Sequence, residues 1–270
     1  MDVSTWIGIG KLGFTIIEAL YARIKSLLKF KSSDVLYLNS NKKTISDNEF
    51  KTVINQYNDW EHVFALSDKP VNFRKYKRHF LKQRFSLYKI LKNIGNIKKI
   101  AYSGMVSTPL SVFDGYILGD SHSYVFYDMN NLTSKLYPIS YHKNQHLGTY
   151  SFNIPNGTDE VCLVIDTSSP VSKDAIKVLP SYFYGKQLPK KLTSKDLQDV
   201  FDYVSDFMDA CNQAGVKKVH LYLNCKQPIA FIVGTAIQSR HPETIAYEWF
   251  LGKYQWALSL QRAKLMRDAK

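Results

Sequence analysis

KKIAYSGMVSTPLSVFDG (98–115) and KKVHLYLNCKQPIAFIVG (217–234) are two copies of one pattern in a chain of 270 residues. Each copy opens with two lysines and an apolar run, has a proline ten residues after the second lysine, and has a glycine six residues later. Shortly after each copy, YVFYDM carries Tyr127-Asp128 and TIAYEW carries Tyr247-Glu248. Ordered spacing over this length indicates an internal repeat.

Each copy predicts a strand, a proline-containing loop, a helix and a second strand. Buried-type strands also precede the copies, in SDVLYLNSN (33–41) and EVCLVIDTSSP (160–170), and HVFAL (62–66) is a further short candidate. Residues 194–214 have the apolar periodicity of an amphipathic helix, with start signals at Thr193–Asp196 and a stop signal at Gly215. Strands that alternate with helices predict parallel sheets covered by helices.

The sequence therefore predicts an α/β fold with two similar halves, preceded by an N-terminal apolar helix. The predicted segments are an N-terminal helix in residues 1–31, a first half in residues 33–155, a second half in residues 156–260 and a C-terminal tail in residues 261–270.

The run VKKVHLYLNCKQPIAFIVGTAIQSRHPETIAYEW (216–249) resembles the C-terminal signature of SAVED domains, and IAYSGMVSTPLSVFDGYIL (100–118) resembles that family's Gly…Pro-Leu segment. The resemblance covers residues 33–260. It implies two fused Rossmann-like halves related to CRISPR-associated sensor domains, which bind cyclic oligonucleotide messengers in bacterial anti-phage defence and then activate an effector. No nuclease, TIR or protease domain is recognisable in this sequence, so only the N-terminal helix stands where an effector would be.

The residues predicted to bind the ligand lie where strands end. Ligands of open α/β sheets bind at the carboxyl ends of strands, where loops and helix N-termini meet. Four strand ends are rich in small polar residues that can donate to phosphates: Asn39–Asn41, Ser103–Thr108, Asp166–Ser169 and Asn224–Gln227. Tyr102, Tyr222 or Met105 can pack on bases, and Lys226 and Arg240 add positive charge. The predicted set is Asn39, Asn41, Tyr102, Ser103, Gly104, Met105, Ser107, Thr167, Ser168, Ser169, Asn224, Lys226, Gln227 and Arg240.

The charge of the chain leaves a second function open. Lys and Arg outnumber Asp and Glu by 36 to 23, and residues 69–99 contain eleven basic residues and no acidic one. Such an excess favours polyanionic partners, so the alternative is a basic protein that binds nucleic acid through this run. A solvated helix face is the structural explanation of the same run.

The N-terminal segment contains GIGKLG (8–13), which spells G-x-G-x-x-G, but too few residues precede it to form the strand that a dinucleotide-binding loop follows. Read as a helix, residues 6–30 are apolar except for one stripe that includes Lys11, Thr15, Glu18 and Lys25. Such a helix is expected to oligomerise, to dock a separate effector protein, or to enter a membrane as an effector gated by the cyclic nucleotide.

No catalytic or metal-binding motif is recognised. Cys162, Cys211 and Cys225 lack the spacing of a zinc site and indicate reduced thiols, and no secretion signal is recognised. The sequence thus predicts a non-enzymatic cytoplasmic sensor without cofactor, with membrane association through residues 6–30 as an alternative. The expected partners are a cyclic oligonucleotide and further copies of the chain, in an oligomer or filament.

Overall fold

A computed structural model describes residues 35–41, 63–65, 99–105, 107–120, 123–130, 135–144, 150–168, 170–171, 173–189, 191–250, 253–262 and 264–267. The predicted N-terminal helix (6–30), the basic run up to residue 98 and Ser169 lie outside these residues.

Two sheets form the described structure. The first has five strands in the order β2-β1-β3-β4-β5. Its strands are β1 (Val35–Asn41), β2 (Val63–Ala65), β3 (Lys99–Met105), β4 (Ser123–Asn130) and β5 (Lys135–Tyr141).

The second sheet has six strands in the order β11-β10-β9-β8-β6-β7. Its strands are β6 (Glu160–Asp166), β7 (Ser181–Tyr184), β8 (Lys218–Asn224), β9 (Glu243–Phe250), β10 (Lys253–Ser259) and β11 (Lys264–Arg267). Its strands β6 to β10 lie in the order β7-β6-β8-β9-β10, which is the order β2-β1-β3-β4-β5 of the first sheet. The sheet also extends past residue 260, where the sequence predicted a tail, because β11 pairs with β10.

Both sheets are mixed, which corrects the prediction of parallel sheets. The neighbouring pairs β1–β3, β3–β4, β6–β8 and β8–β9 are parallel. β5 and β10, however, return directly from β4 and β9 and pair with them in the antiparallel direction. A short return between neighbouring strands allows only that direction.

Within the described ranges, three α-helices connect or cover these strands: α1 (Thr108–Leu118), α2 (Ser194–Gln213) and α3 (Gln227–Ala236). α2 begins with a capping box, in which the Thr193 hydroxyl accepts from the Asp196 N–H and the Asp196 carboxylate accepts from the Thr193 N–H. It ends before Gly215, whose φ of 74° suits glycine. The predicted helix at 194–214 is therefore confirmed.

α1 and α3 each follow the repeated lysine strand and carry the repeated proline in their first turn. Proline fits there because the first N–H groups of a helix have no partner within it. The repeat predicted a proline-containing loop before each helix. The prolines lie inside the helices, so both helices begin earlier than predicted.

The repeated glycines allow α1 and α3 to cross in backbone contact. A methyl group on Gly115 would lie 1.9 Å from the Phe231 carbonyl oxygen, and one on Gly234 would lie 1.9 Å from the Val112 carbonyl oxygen. Gly115 and Gly234 are 119 residues apart, and so are Val112 and Phe231, so the contact is reciprocal. Gly115 and Gly234 thus serve helix packing inside helices.

The crossed helices also join the two sheets. α1 contacts β9 and β10 of the second sheet, and α3 contacts β3 and β4 of the first. Phe231 of α3 packs on Tyr102 and Phe126 of the first sheet, with ring centroids 4.4 and 5.3 Å apart. One hydrophobic core therefore spans both sheets. None of the described helices has the length and apolar character to cross a membrane.

Candidate ligand-binding site

The strand ends that the sequence singled out lie together in pairs at the carboxyl edges of the two sheets. In the first sheet, Asn39 is in register with Ser103, Ser40 with Gly104, and Asn41 with Met105. In the second sheet, Asp166 at the end of β6 is in register with Asn224 at the end of β8. The prediction that these segments meet at one edge of each sheet is confirmed.

The loop after β6 is tied to the end of β8. The N–H groups of Thr167 and Ser168 both donate to the Asn224 carbonyl oxygen, at 3.2 and 3.1 Å. Thr167 and Asp166 are 4% and 8% exposed. Within the described part of the chain, neither Thr167 Oγ1 nor Asp166 Oδ1 has a hydrogen-bond partner. Buried polar atoms in this condition are uncommon and mark a place where a ligand or water is expected.

Burial raises the pKa of the Asp166 carboxyl, and a hydrogen bond with the backbone of Val171 offsets part of this shift. Gly185, the residue after β7, leaves space beside this carboxylate, because a methyl group on Gly185 would lie 3.6 Å from Asp166 Oδ1, an ordinary contact distance. Asp166 therefore adds an acceptor at the carboxyl edge.

Two helix N-termini lie at the same edges as the strand ends. Ser107 precedes α1, and its carbonyl oxygen accepts from Leu110 and Ser111; Lys226 precedes α3, and its carbonyl oxygen accepts from Ile229 and Ala230. Neither of the two preceding residues caps its helix with its side chain. The second residue of each helix is a proline, and the next two N–H groups donate within the first turn. Each helix start therefore presents one backbone N–H, that of Thr108 or Gln227, together with the positive end of the helix dipole, which favours an anion.

Lys226 reaches from the start of α3 to the first sheet. Its Nζ donates to Asp128 Oδ2 at 2.7 Å and to the Tyr137 hydroxyl at 3.1 Å. The Tyr137 hydroxyl also donates to Asp128. Asp128 lies on β4 and Tyr137 is its register partner on β5. A cation of one sheet is therefore held by a carboxylate of the other.

A reciprocal contact joins β9 to the start of α1. The backbone N–H of Thr108 donates to Glu248 Oε2 at 3.0 Å. Glu248 and Asp128 are 120 residues apart and belong to the two copies of the Tyr-acidic pair. We call Asp128–Lys226 and Glu248–Thr108 the carboxylate bridges. Between them, the Ser111 hydroxyl of α1 donates to the Gln227 carbonyl oxygen of α3 at 3.2 Å.

The ion pair keeps Lys226 charged. Partial burial by itself would lower the pKa of Lys226, but hydrogen bonds with Asp128 and Tyr137 outweigh burial and raise it. The side chains of Lys226 and Asp128 are 29% and 11% exposed, so their attraction is screened less than that of a surface pair. The residue before α3 thus carries a cation that is held against the first sheet.

Two of the predicted ligand residues belong instead to the core. Tyr102 is 1% exposed, and its hydroxyl bonds to Ser111 and Asp114. Tyr222 is also 1% exposed, and its ring stacks on Tyr247 with centroids 4.5 Å apart. The prediction that these tyrosines stack on bases is corrected, because neither ring has an open face in this structure.

Arg240 is at the opposite edge of its sheet from the predicted site. It follows α3 and precedes β9, so it lies where the parallel strands begin. Its guanidinium donates to Asp209 Oδ1 at 2.9 Å and to the Gln238 side chain. Arg240 is therefore removed from the candidate site, since α3 runs away from the carboxyl edge over its whole length.

The other predicted residues that the structure describes lie at the carboxyl edges of the sheets, as predicted. Asn39, Asn41, Ser103, Gly104 and Met105 are at the end of β1 or β3, Ser107 is buried, and Ser168 is exposed. Asn224, Lys226 and Gln227 connect β8 to α3.

Asp128, Tyr137 and Glu248 were not predicted as site residues, and Asp166 was predicted only as the start of a polar strand end. The repeated Tyr-acidic pair was the available signal for Asp128 and Glu248, since a residue repeated at the end of a strand points to the same edge as the loops. Tyr137 had no signal of this kind because β5 was not predicted.

The arrangement is suited to binding an anion at the junction of the sheets. It offers one ammonium group, two helix starts and the buried hydroxyl of Thr167 to the anion, whereas the buried carboxylate of Asp166 can only accept from an amino or hydroxyl group of a ligand. Within the ranges that the structure describes, no group of three or more His, Cys, Asp or Glu residues is placed to hold a metal ion.

A family comparison identifies the class of this arrangement. The family of SMODS-associated sensor domains fused to various effectors, abbreviated SAVED, matches residues 83–260, which is more than half of the chain. The chain belongs to the SAVED family. The resemblance that the repeated motifs indicated is thereby confirmed. No curated protein matches the chain.

Solved structures of SAVED receptors have the same fold. The SAVED/CARF-domain receptor Cap4 of Acinetobacter baumannii, with the cyclic trinucleotide 3′3′3′-cAAA, is 16% identical at a TM-score of 0.58, over 83% of this chain and 51% of the receptor. The same receptor with 2′3′3′-cAAA is 17% identical at a TM-score of 0.55, over 83% and 50%. This SAVED chain spans about half the length of those receptors.

Proposed function

We propose that this SAVED chain is a sensor that binds a cyclic oligonucleotide second messenger and then activates an antiviral effector. Its family is a family of sensor domains. The Cap4 receptors that share its fold hold cyclic trinucleotides. We further propose that the two sheets with their helices are two fused Rossmann-like, CARF-like halves, because both have the same strand order and the same repeated residues.

The observation that carries the proposal is the junction at the carboxyl edges. The ends of β3 and β8 each lead into a helix, the two helices cross in backbone contact, and the carboxylate bridges join the two helix starts to the opposite sheets. A cyclic oligonucleotide has phosphates in a ring, and a junction with donors from both halves suits such a ligand.

The pocket that we propose includes the polar strand ends and excludes the core tyrosines and Arg240. Thr167 and Asn224 are placed to donate or accept at the second sheet, and Lys226 supplies charge. Asp166 is added as an acceptor for an amino or hydroxyl group of the ligand, because its carboxylate is buried and Oδ1 lacks a partner among the described residues.

The output is proposed to be oligomerisation, through the N-terminal helix or a separate effector protein. A contact between unlike ends of the molecule adds copies head to tail and can continue as a filament. Light scattering with and without ligand tests this: a monomer in both states would contradict it. Liposome flotation in the same two states tests whether residues 6–30 enter a membrane.

Binding to polymeric nucleic acid is the second candidate function, favoured by the net charge of +13. It predicts a steep salt dependence and an affinity that grows with polymer length. A cyclic-nucleotide sensor has instead one saturable site for a small ring and does not respond to length.

Lys226→Glu is the variant that tests the proposed pocket. It replaces the cation with an anion beside the ligand phosphates, so we expect binding of a labelled cyclic triadenylate to weaken by about 30-fold or more. Equilibrium binding at fixed salt measures the change. Unchanged affinity would show that the pocket is elsewhere.

Lys217→Glu is the matched control. Lys217 lies on the same segment, at the opposite edge of the sheet, and its exposed ammonium pairs with Asp159. We expect this variant to bind like the wild type because an exposed, distant charge is screened. Lys226→Met, which introduces no new anion, shows whether loss of the cation alone weakens binding.

A further inference from the structure

The carboxylate bridges place acidic groups where the proposed ligand would place its phosphates. Asp128 accepts from the ammonium of Lys226, the residue before α3, and Glu248 accepts from the backbone N–H of Thr108, the first residue of α1. Both donors lie at helix N-termini, where anions are stabilised. The two donors are therefore occupied by the protein's own anions.

These contacts also hold the two sheets together. Asp128 belongs to β4 and bonds to the segment that starts α3, whereas Glu248 belongs to β9 and bonds to α1. The two acceptors, Asp128 and Glu248, are equivalent positions of the repeat, whereas the two donors differ by one position, because Thr108 is equivalent to Gln227, which follows Lys226. Loss of both contacts would free one edge of the junction, while the core below the crossed helices would keep the sheets together.

A phosphate cannot share these donors with a carboxylate without a cost. The Asp128 side chain is 11% exposed, so a phosphate that approached Lys226 would meet an anion in a partly desolvated environment. Like charges in such a place repel strongly unless one of them moves away. A ligand that takes the donors therefore has to displace the carboxylates.

We propose that Asp128 and Glu248 are internal competitors of the ligand, so that binding exchanges two protein carboxylates for two ligand phosphates and releases the carboxylate bridges. This inference rests on the proposed function. It assigns to the two acidic residues a role in setting the affinity threshold of the sensor, and it links occupancy of the pocket to the contact between the sheets.

The test uses Asp128→Asn and Glu248→Gln in the full chain. Each change removes the competing charge and keeps the size of the side chain. We expect cyclic triadenylate to bind about five- to tenfold more tightly to each variant than to the wild type, in calorimetric titrations at one salt concentration. Asp120→Asn is the matched control: it removes a charge of an ion pair with Lys143 at the amino edge of the first sheet, and its affinity should equal that of the wild type.

A double-mutant cycle identifies the donor through which Asp128 acts. The gain in affinity from Asp128→Asn should differ between the wild-type and Lys226→Met backgrounds, because only with Lys226 present does the change release an ammonium group for the phosphate. Equal gains in both backgrounds would show that Asp128 acts by charge repulsion alone. Weaker or unchanged binding in both Asp128→Asn and Glu248→Gln would overturn the inference, because the carboxylates would then support the site. If the folded wild type binds no cyclic oligonucleotide of a panel, the proposed function itself fails, and the two failures are thus distinguishable.

Discussion

Glu160 is a carboxylate whose environment stabilises its charge. It begins β6 and accepts from Lys218 Nζ at 2.6 Å and from His220 Nε2 at 2.9 Å. The hydrogen bond with Lys218, followed by that with His220, lowers the pKa of Glu160 to about 2. Burial lowers the pKa of His220, so its imidazole is neutral at pH 7 and Lys218 carries the charge that attracts Glu160.

We expect Glu160→Gln to lower the free energy of unfolding at pH 7 by about 1 kcal/mol, since the group is partly exposed. A carboxyl group whose folded-state pKa is lowered stabilises the protein above its unfolded-state pKa, and the contribution is lost as the pH falls towards the folded-state value. The difference between variant and wild type should therefore shrink between about pH 5 and pH 2.

Urea unfolding at several pH values measures this difference. Asp159→Asn is the control, because Asp159 forms an ion pair with Lys217 in which both side chains are more than half exposed. A Glu160→Gln variant that is as stable as the wild type at pH 7, or a difference that grows on acidification, would contradict the assignment.

The crossed helices α1 and α3 determine how the two halves of the site face each other. In an ordinary helix, replacing glycine with alanine increases helix stability by about 1 kcal/mol. At Gly115 the new methyl group would overlap the Phe231 carbonyl, 1.9 Å away, and backbone on both sides cannot yield as a side chain can. The free energy lost through this overlap therefore exceeds the free energy gained from the higher helix propensity of alanine.

We expect Gly115→Ala and Gly234→Ala each to destabilise the protein by about 2–3 kcal/mol. Chemical denaturation measures the change. Gly157→Ala is the control, because Gly157 has open space around it and only its φ of 80° opposes a side chain; it should cost about 1 kcal/mol. Stability gained at Gly115 or Gly234 would show that the helices do not touch as described.

Several elements were predictable because their signals are local. The repeated lysine strands, the capping box at Thr193 and the stop at Gly215 depend on residues near in sequence, and the structure has the predicted strands and α2 there. Neither β5 nor β10 was predicted, and the antiparallel pairs that they form were therefore missed. Apolar patterns show burial and do not show the direction of pairing. The packing role of Gly115 depends on a residue more than one hundred positions away, Phe231.

The candidate site was predictable in its location and only in part in its residues. Strand ends in an α/β fold must converge, and so the four polar loops were found. Tyr102 is buried because its face of the sheet packs on the crossed helices, and Tyr222 is buried because its face lies under the segment after β6. The repeat does not show which face of a strand is covered in this way. Arg240 was predicted at the wrong edge of the sheet because it is close in sequence to the end of α3, whereas the site lies at the start of that helix.

For the molecule as a whole, we propose that the junction of the two sheets binds a cyclic oligonucleotide. The chain belongs to a family of sensor domains, and donors from both halves meet at this junction. Nothing in the mechanism requires a polymer, because the helix N-termini and Lys226 lie at one junction of limited extent.

Thermal unfolding of the full chain with a panel of cyclic di-, tri- and tetranucleotides, beside single-stranded DNA of increasing length, tests this claim most directly. A ligand that binds only the folded state raises the melting temperature, on the order of 5 °C at about 100 times its Kd. We predict such a shift, saturable and absent in Lys226→Glu, for at least one cyclic member and no dependence on DNA length. A folded chain that no cyclic member stabilises, and that longer DNA stabilises progressively, would contradict the account.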